Sequence, residues 1–189
     1  MQEKLVKIFW LVCLLVLGGA GVLFILPTTG YRMFFLFILL FIIYWTVKSG
    51  SRIEVNTLAL ISAYLLSLAQ FGLYFYLRLS AWFIVILTFV WVGLLFWIGF
   101  RLRMGPISAS AKVLSLTTGL VGAEIVLALL FWPTHFLVTS TVFFLLFYLV
   151  WMTAHFYMSG ILNWHRIFVH AAFVTVVLLV VLLTAQWTI

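Results

Sequence analysis

The chain has 189 residues, 68% hydrophobic and 7% charged, with a mean hydropathy of +1.37. A soluble domain of this length would carry roughly a quarter charged residues, so a water-soluble fold is excluded. The formal charge of +7 comes from Lys and Arg that punctuate apolar runs without forming a basic stripe, which argues against a nucleic-acid surface.

The apolar runs are continuous and lack the alternation of a β-barrel strand. They predict an all-α, polytopic helical membrane protein. The first run covers approximately residues 5–26, after "MQEKLVK". It is about 20 residues long and has no A-x-A-like cleavage site, so a retained span is expected rather than a signal peptide. Cuts at charges, prolines and polar clusters predict six more spans, at 31–48, 55–77, 79–100, 113–132, 135–157 and 166–187. Each is near the ~20 residues that cross ~30 Å of hydrocarbon. Residues 1–189 thus read as a single transmembrane domain of about seven helices, with no soluble domain. The longest connection, "RLRMGPISASAK" at 101–112, is at most an interfacial turn.

Charge placement predicts the orientation. Lys4, Lys7, Lys48, Arg52, Arg101, Arg103, Lys112 and Arg166 fall on one side of the spans, and Arg32 and Arg78 on the other. The positive-inside rule then puts the N-terminus in the cytosol and the C-terminus on the opposite side.

Three segments align without gaps: 27–45, 79–97 and 133–151. The first and third share seven of nineteen residues. Phe37/Trp45, Phe89/Trp97 and Phe143/Trp151 fall at matched positions. The pattern suggests three parallel helical-hairpin repeats followed by a seventh helix. Pro27 and Pro133 end the preceding helices, and Thr28, Ser80 and Thr134 are the expected N-caps of the next. Trp45, Trp97 and Trp151 are expected at the cytosolic interface, with Lys48, Arg101 and His155 as the cationic anchors that follow them.

Odd-numbered spans carry small and polar residues. Examples are Gly18, Gly19 and Gly21 in the first, Asn56, Ala59, Ala63, Ser67 and Gln70 in the third, and Gly119 and Gly122 in the fifth. Positions 56, 59, 63, 67, 70 and 74 share one face of the third helix. Small residues let helices approach, so the odd helices are expected inside and the aromatic even helices outside. Aromatics that merely fill a bulky core are the competing reading.

Glu124 is the strongest candidate for chemistry. A span at 113–132 places it near mid-membrane, where an ionised carboxylate costs several kcal/mol. The expectation is a neutral carboxyl buried against the third or seventh helix. With Ser67, Gln70 and His170 it makes up the candidate intramembrane polar site, as a proton or cation site or as a purely structural tie. His155 and His170 lie at similar inner depth on adjacent spans, and axial haem ligation by the pair is a weaker reading. No other metal or cofactor is expected. There is no Asp and no zinc-binding H-E-x-x-H. No nucleophile elbow or Gly-rich phosphate loop occurs, so neither catalysis nor nucleotide binding is expected. The single cysteine, Cys13, cannot form an intramolecular dithiol pair.

These features favour a non-enzymatic integral membrane protein acting as a helix-packing subunit or scaffold. Its expected partners are the lipid bilayer and either another membrane protein or a second copy. A small-solute or proton-linked transporter or channel centred on Glu124 is the alternative, and a haem or quinone redox subunit the weaker one.

Overall fold

The computed structural model describes residues 2–49, 52–104 and 109–185, with side chains described for 9–45, 56–101 and 109–185. Among the described residues there are seven helices and no strand. They are α1 (Gln2–Ile25), α2 (Thr29–Ser49), α3 (Arg52–Leu77), α4 (Ala81–Met104), α5 (Ala109–Leu130), α6 (Phe136–Met158) and α7 (Trp164–Thr184). Five stretches are long and apolar enough to cross a membrane: Asn56–Leu77, Ala81–Arg101, Ala109–Leu130, Phe136–Met158 and Trp164–Thr184. They support an integral membrane protein. The described parts of α1 and α2 add shorter apolar stretches, Phe9–Ile25 and Thr29–Trp45.

The helix ends follow local chemistry. Thr28 Oγ1 accepts the Tyr31 N–H at 3.5 Å and Ser80 Oγ accepts the Phe83 N–H at 3.3 Å, the expected caps of α2 and α4. At α6 the cap lies one residue later than expected. His135 is the N-cap, its Nδ1 accepting from Leu137 N at 3.4 Å. Thr134 is buried instead, with its hydroxyl 3.0 Å from that of Thr139. A histidine thus stands at the mouth of α6 because its ring nitrogen closes an open helix end.

The C-terminus of α6 is also closed. Gly160 N–H donates to Tyr157 O at 3.1 Å and Ile161 N–H to Phe156 O at 3.2 Å. This is the Schellman pattern, and Gly160 supplies the positive φ of 66° that it requires.

The helix α3 is the hub and touches α1, α2, α4 and α6. Two kinds of packing build the bundle around it. The first is close approach over small residues. A Cβ on Gly18 would stand 2.9 Å from the backbone nitrogen of Leu66 in α3, and one on Gly119 would stand 2.8 Å from the carbonyl oxygen of Phe89 in α4. The pairs α1/α3 and α4/α5 therefore lack room for even a methyl at these points.

The second kind is aromatic fill. Between α4 and α6, Trp91 meets Phe143 and Phe147 at centroid distances of 5.8 and 5.9 Å. Further along, Phe96 meets Phe147 at 5.6 Å and Trp151 at 4.9 Å. These spacings suit edge-to-face and tilted ring pairs.

Two expectations need correction. Helix α7 is odd-numbered but the most exposed of the candidate spans, and among the described residues it packs chiefly on α6. Its residues are branched and bulky, without the small face of α3. Aromatics also divide between surface and core. On α2, Phe34, Phe37 and Phe41 face outward, whereas Trp91, Phe96, Phe143 and Phe147 are buried. The matched tryptophans divide in the same way: Trp45 is 56% exposed and Trp151 only 5%. Trp151 is a core residue because Gly99 vacates its place, so that a Cβ there would lie 2.6 Å from the indole ring.

Gly160→Ala should cost roughly 1–2 kcal/mol of stability through its left-handed backbone. Gly30→Ala, where a Cβ meets nothing within 4 Å, should be neutral or stabilising by up to about 1 kcal/mol. Thermal melts of the two purified variants check this pair.

Candidate functional site

The polar side chains of α3 tie it to its neighbours. Ser67 Oγ reaches Tyr64 O at 2.8 Å and Ser140 O of α6 at 3.4 Å. Ser140 Oγ reaches Phe136 O at 2.6 Å and returns to Ser67 O at 3.3 Å. Both serines are fully buried. This reciprocal pair fixes the register of α3 against α6.

One turn on, Gln70 faces α4. Its Oε1 accepts from Thr88 Oγ1 and from Trp91 Nε1, each at 2.9 Å. Thr88 also reaches Ile84 O at 2.8 Å, so its one proton is shared. An indole N–H only donates, which fixes the amide orientation. Gln70 Nε2 is then left without a partner, as is the buried hydroxyl of Ser62 on the same helix. Hydrogen bonds of this kind between membrane helices contribute roughly 0.6–2 kcal/mol each.

Glu124 is not part of this seam. It lies on the exposed face of α5, which corrects the expectation of burial against the third or seventh helix. The physical reason is helical phase. Ala111, Ser115, Thr118, Gly119, Gly122 and Ala123 form the buried face. At about 100° per residue, Glu124 stands roughly 140–200° around from Ser115, Gly119 and Gly122. Its depth also changes, because α5 begins at Ala109 and ends at Leu130. Glu124 is about 9 Å from the C-terminal end and about 22 Å from the other. Among the described residues nothing bonds to its carboxyl, and Thr117 on the same side bonds back to Val113 O at 2.9 Å.

His170 joins α7 to α6. Its Nδ1 lies 2.8 Å from the hydroxyl of Tyr148, and its ring centroid 5.5 Å from that of Phe156. His155 lines a cleft of about 10 Å³ with Asn56, Phe96, Gly99, Phe100, Trp151 and Met158. That is the room of a single water. The indole N–H of Trp151 has no partner, and its ring is one wall of this cleft. A haem held between His155 and His170 does not fit this arrangement, since His170 is engaged by Tyr148 and packed on Phe156. Among the described residues no group of three or more His, Cys, Asp or Glu could hold a metal.

The anchors separate. Arg101 lies 5.7 Å from the ring centroid of Trp97, a cation–π contact at an exposed surface. Trp45 is exposed, Trp151 and half-buried His155 face the cleft, and Lys48 lies outside the residues whose side chains are described. The candidate polar set therefore falls into three places: Ser67 and Gln70 in the core, His170 at the α6/α7 contact, and Glu124 on the outer face of α5.

Thr88, Trp91, Ser140 and Tyr148 are the partners that the sequence reading missed. Single polar residues in the facing helices were the available signal, yet pairing them requires the register between helices.

No family model, curated protein or solved structure matches the chain.

Gln70→Leu should lower stability by about 1–2 kcal/mol, since it strands the Trp91 N–H and loses two bonds. Thr88→Ala should cost less, because Trp91 keeps its acceptor. Unfolding titrations in mild detergent would rank the two variants.

Proposed function

We propose that the protein is a seven-span integral membrane scaffold, a non-enzymatic subunit that joins other membrane components through its outward faces. One observation carries this reading: the polar groups in the bundle tie helix to helix, while the acid at membrane depth is turned outward without an intramolecular partner. A transport pathway centred on Glu124 requires polar groups converging on a continuous passage. Ser67 and Gln70 instead bond into α6 and α4, on the side of the bundle from which Glu124 turns away. Intramembrane acids almost always face protein or a water-filled cavity. An outward acid is therefore a mark of an assembly surface.

The proposed orientation has the N-terminus in the cytosol. The exposed Arg101 and Trp97 would then sit at the cytosolic interface, with Arg32 and Arg78 at the other end of the bundle. The outward aromatics of α2, among them Phe34 and Phe37, would meet lipid or a partner.

A periplasmic-type or luminal reporter fused after Ile189 should be active and a cytosolic one silent. The reverse result would remove the seven-span, N-inside arrangement. Reconstituted vesicles should carry no proton or small-solute flux above that of empty ones. A flux abolished by Glu124→Gln would replace the scaffold reading with a transporter.

A further inference from the structure

The faces of α3 and α6 that meet at Ser67 and Ser140 meet a second time. The two helices run antiparallel, with Phe75 against Phe136 at a centroid distance of 6.0 Å and Tyr64 against Phe144 at 5.1 Å. Asn56 precedes Ser67 by eleven residues, and Trp151 follows Ser140 by eleven. That spacing is three helical turns with a drift of about 20°, or roughly 16 Å along each axis. Asn56 and Trp151 therefore stand at matching depth on the same two faces, and both line the cleft of about 10 Å³ together with half-buried His155. Unlike the serine pair, they are not bonded to each other. Trp151 is 5% exposed, and its buried Nε1 has no acceptor among the described residues. An indole N–H can only donate, and a buried donor left unmet is costly.

We propose that this cleft is a hydration site, in which one resident water accepts the N–H of Trp151 and donates to the side-chain carbonyl of Asn56, bridging α6 to α3. The lining selects the ligand by size and by polarity. The space is about that of one water-sized sphere, which excludes a larger solute. A methyl group of a lipid chain would fill it but offers the indole no acceptor. A metal cation would face a donor in place of a ligand. A water brings an acceptor for the indole and two protons of its own, and the Asn56 amide accepts one of them. His155 is the third polar side chain of the lining. Buried waters are held in this way, by about three polar groups that the protein itself leaves unmet. The bridge gives α3 and α6 a second polar tie, made through water where the serines bond directly. It is independent of the scaffold reading, which concerns the outward faces.

The test is proton magnetisation transfer from water to the indole N–H groups, measured by solid-state NMR on the full chain with isotope-labelled tryptophan in hydrated bilayers. Trp151→Phe and Trp91→Phe assign the two signals by their loss. Trp91 is the dry reference, because it is 2% exposed and its N–H is bonded to Gln70. Trp151 should receive magnetisation several times faster than Trp91, and its proton should show the shift of a hydrogen-bonded indole. Asn56→Leu, which fills the cleft and removes the acceptor, should abolish that transfer. Asn56→Ser, which keeps an acceptor, should retain it. A Trp151 N–H that receives no more than Trp91 overturns the proposal, as does the shift of an unbonded indole or a transfer that Asn56→Leu leaves intact. Should Asn56→Leu fail to fold, the first two readings on the unaltered chain still decide.

Discussion

The close seating of α1, α4 and α6 around α3 is the constraint on which the other contacts depend. In hydrocarbon the hydrophobic effect gives helices no reason to associate, so packing, hydrogen bonds and close approach must do so. Helix α3 offers Ala59, Ala63, Ser67 and Gln70, all essentially buried. Gly18 of α1 meets the α3 backbone where no side chain would fit. Once α3 is seated, Ser67 bonds reciprocally with Ser140 of α6, and Gln70 reaches α4 through its Oε1. The aromatic column between α4 and α6 then fills the space that these ties leave. Small residues thus set the distances, polar residues set the registers, and rings take up the remaining volume.

This division of labour explains why equivalent positions in the aligned segments have unlike surroundings. Phe37 is 70% exposed while Phe143 is 1% exposed. Phe143 packs on Trp91 and on Phe71 of α3. The outward side of α2 offers Phe37 no such company. A shared residue pattern fixes what a helix can present, and its neighbours decide which side is covered.

Much of the secondary structure was legible because its signals are local. Charges and prolines delimit the helices, and Thr28 and Ser80 cap as hydroxyls at those positions should. His135 was missed because an imidazole can play the same part, and the neighbouring Thr134 looked like the better cap. Orientation about each helix axis was harder to read. In a soluble helix the polar side marks water, but here buried and outward faces are both apolar, so hydrophobic periodicity carries little phase. The informative signal on α5 was the small-residue face. The small-residue pattern puts Gly119 and Gly122 inside, whereas an acid within a span leads to the expectation that Glu124 is buried as well. The two expectations were incompatible, since the glycines and the acid lie on opposite sides of one helix. The small residues decided the outcome, because close packing against α4 leaves no freedom to rotate.

Placing Glu124 outward has an energetic consequence for what counts as the complete object. Replacing it by an apolar residue would remove a polar group from hydrocarbon without breaking any contact within the chain. The isolated bundle therefore gains nothing from the carboxyl and bears its desolvation cost. Gln70 is the opposite case, because its cost of burial is offset by bonds to Thr88 and Trp91 within the same chain. A polar group in a membrane is tolerated when a partner of matching depth satisfies it. For Gln70 that partner is α4. For Glu124 no such partner is found among the described residues, which is why the outer face of α5 belongs with the proposed scaffold role and not with the packing of the bundle.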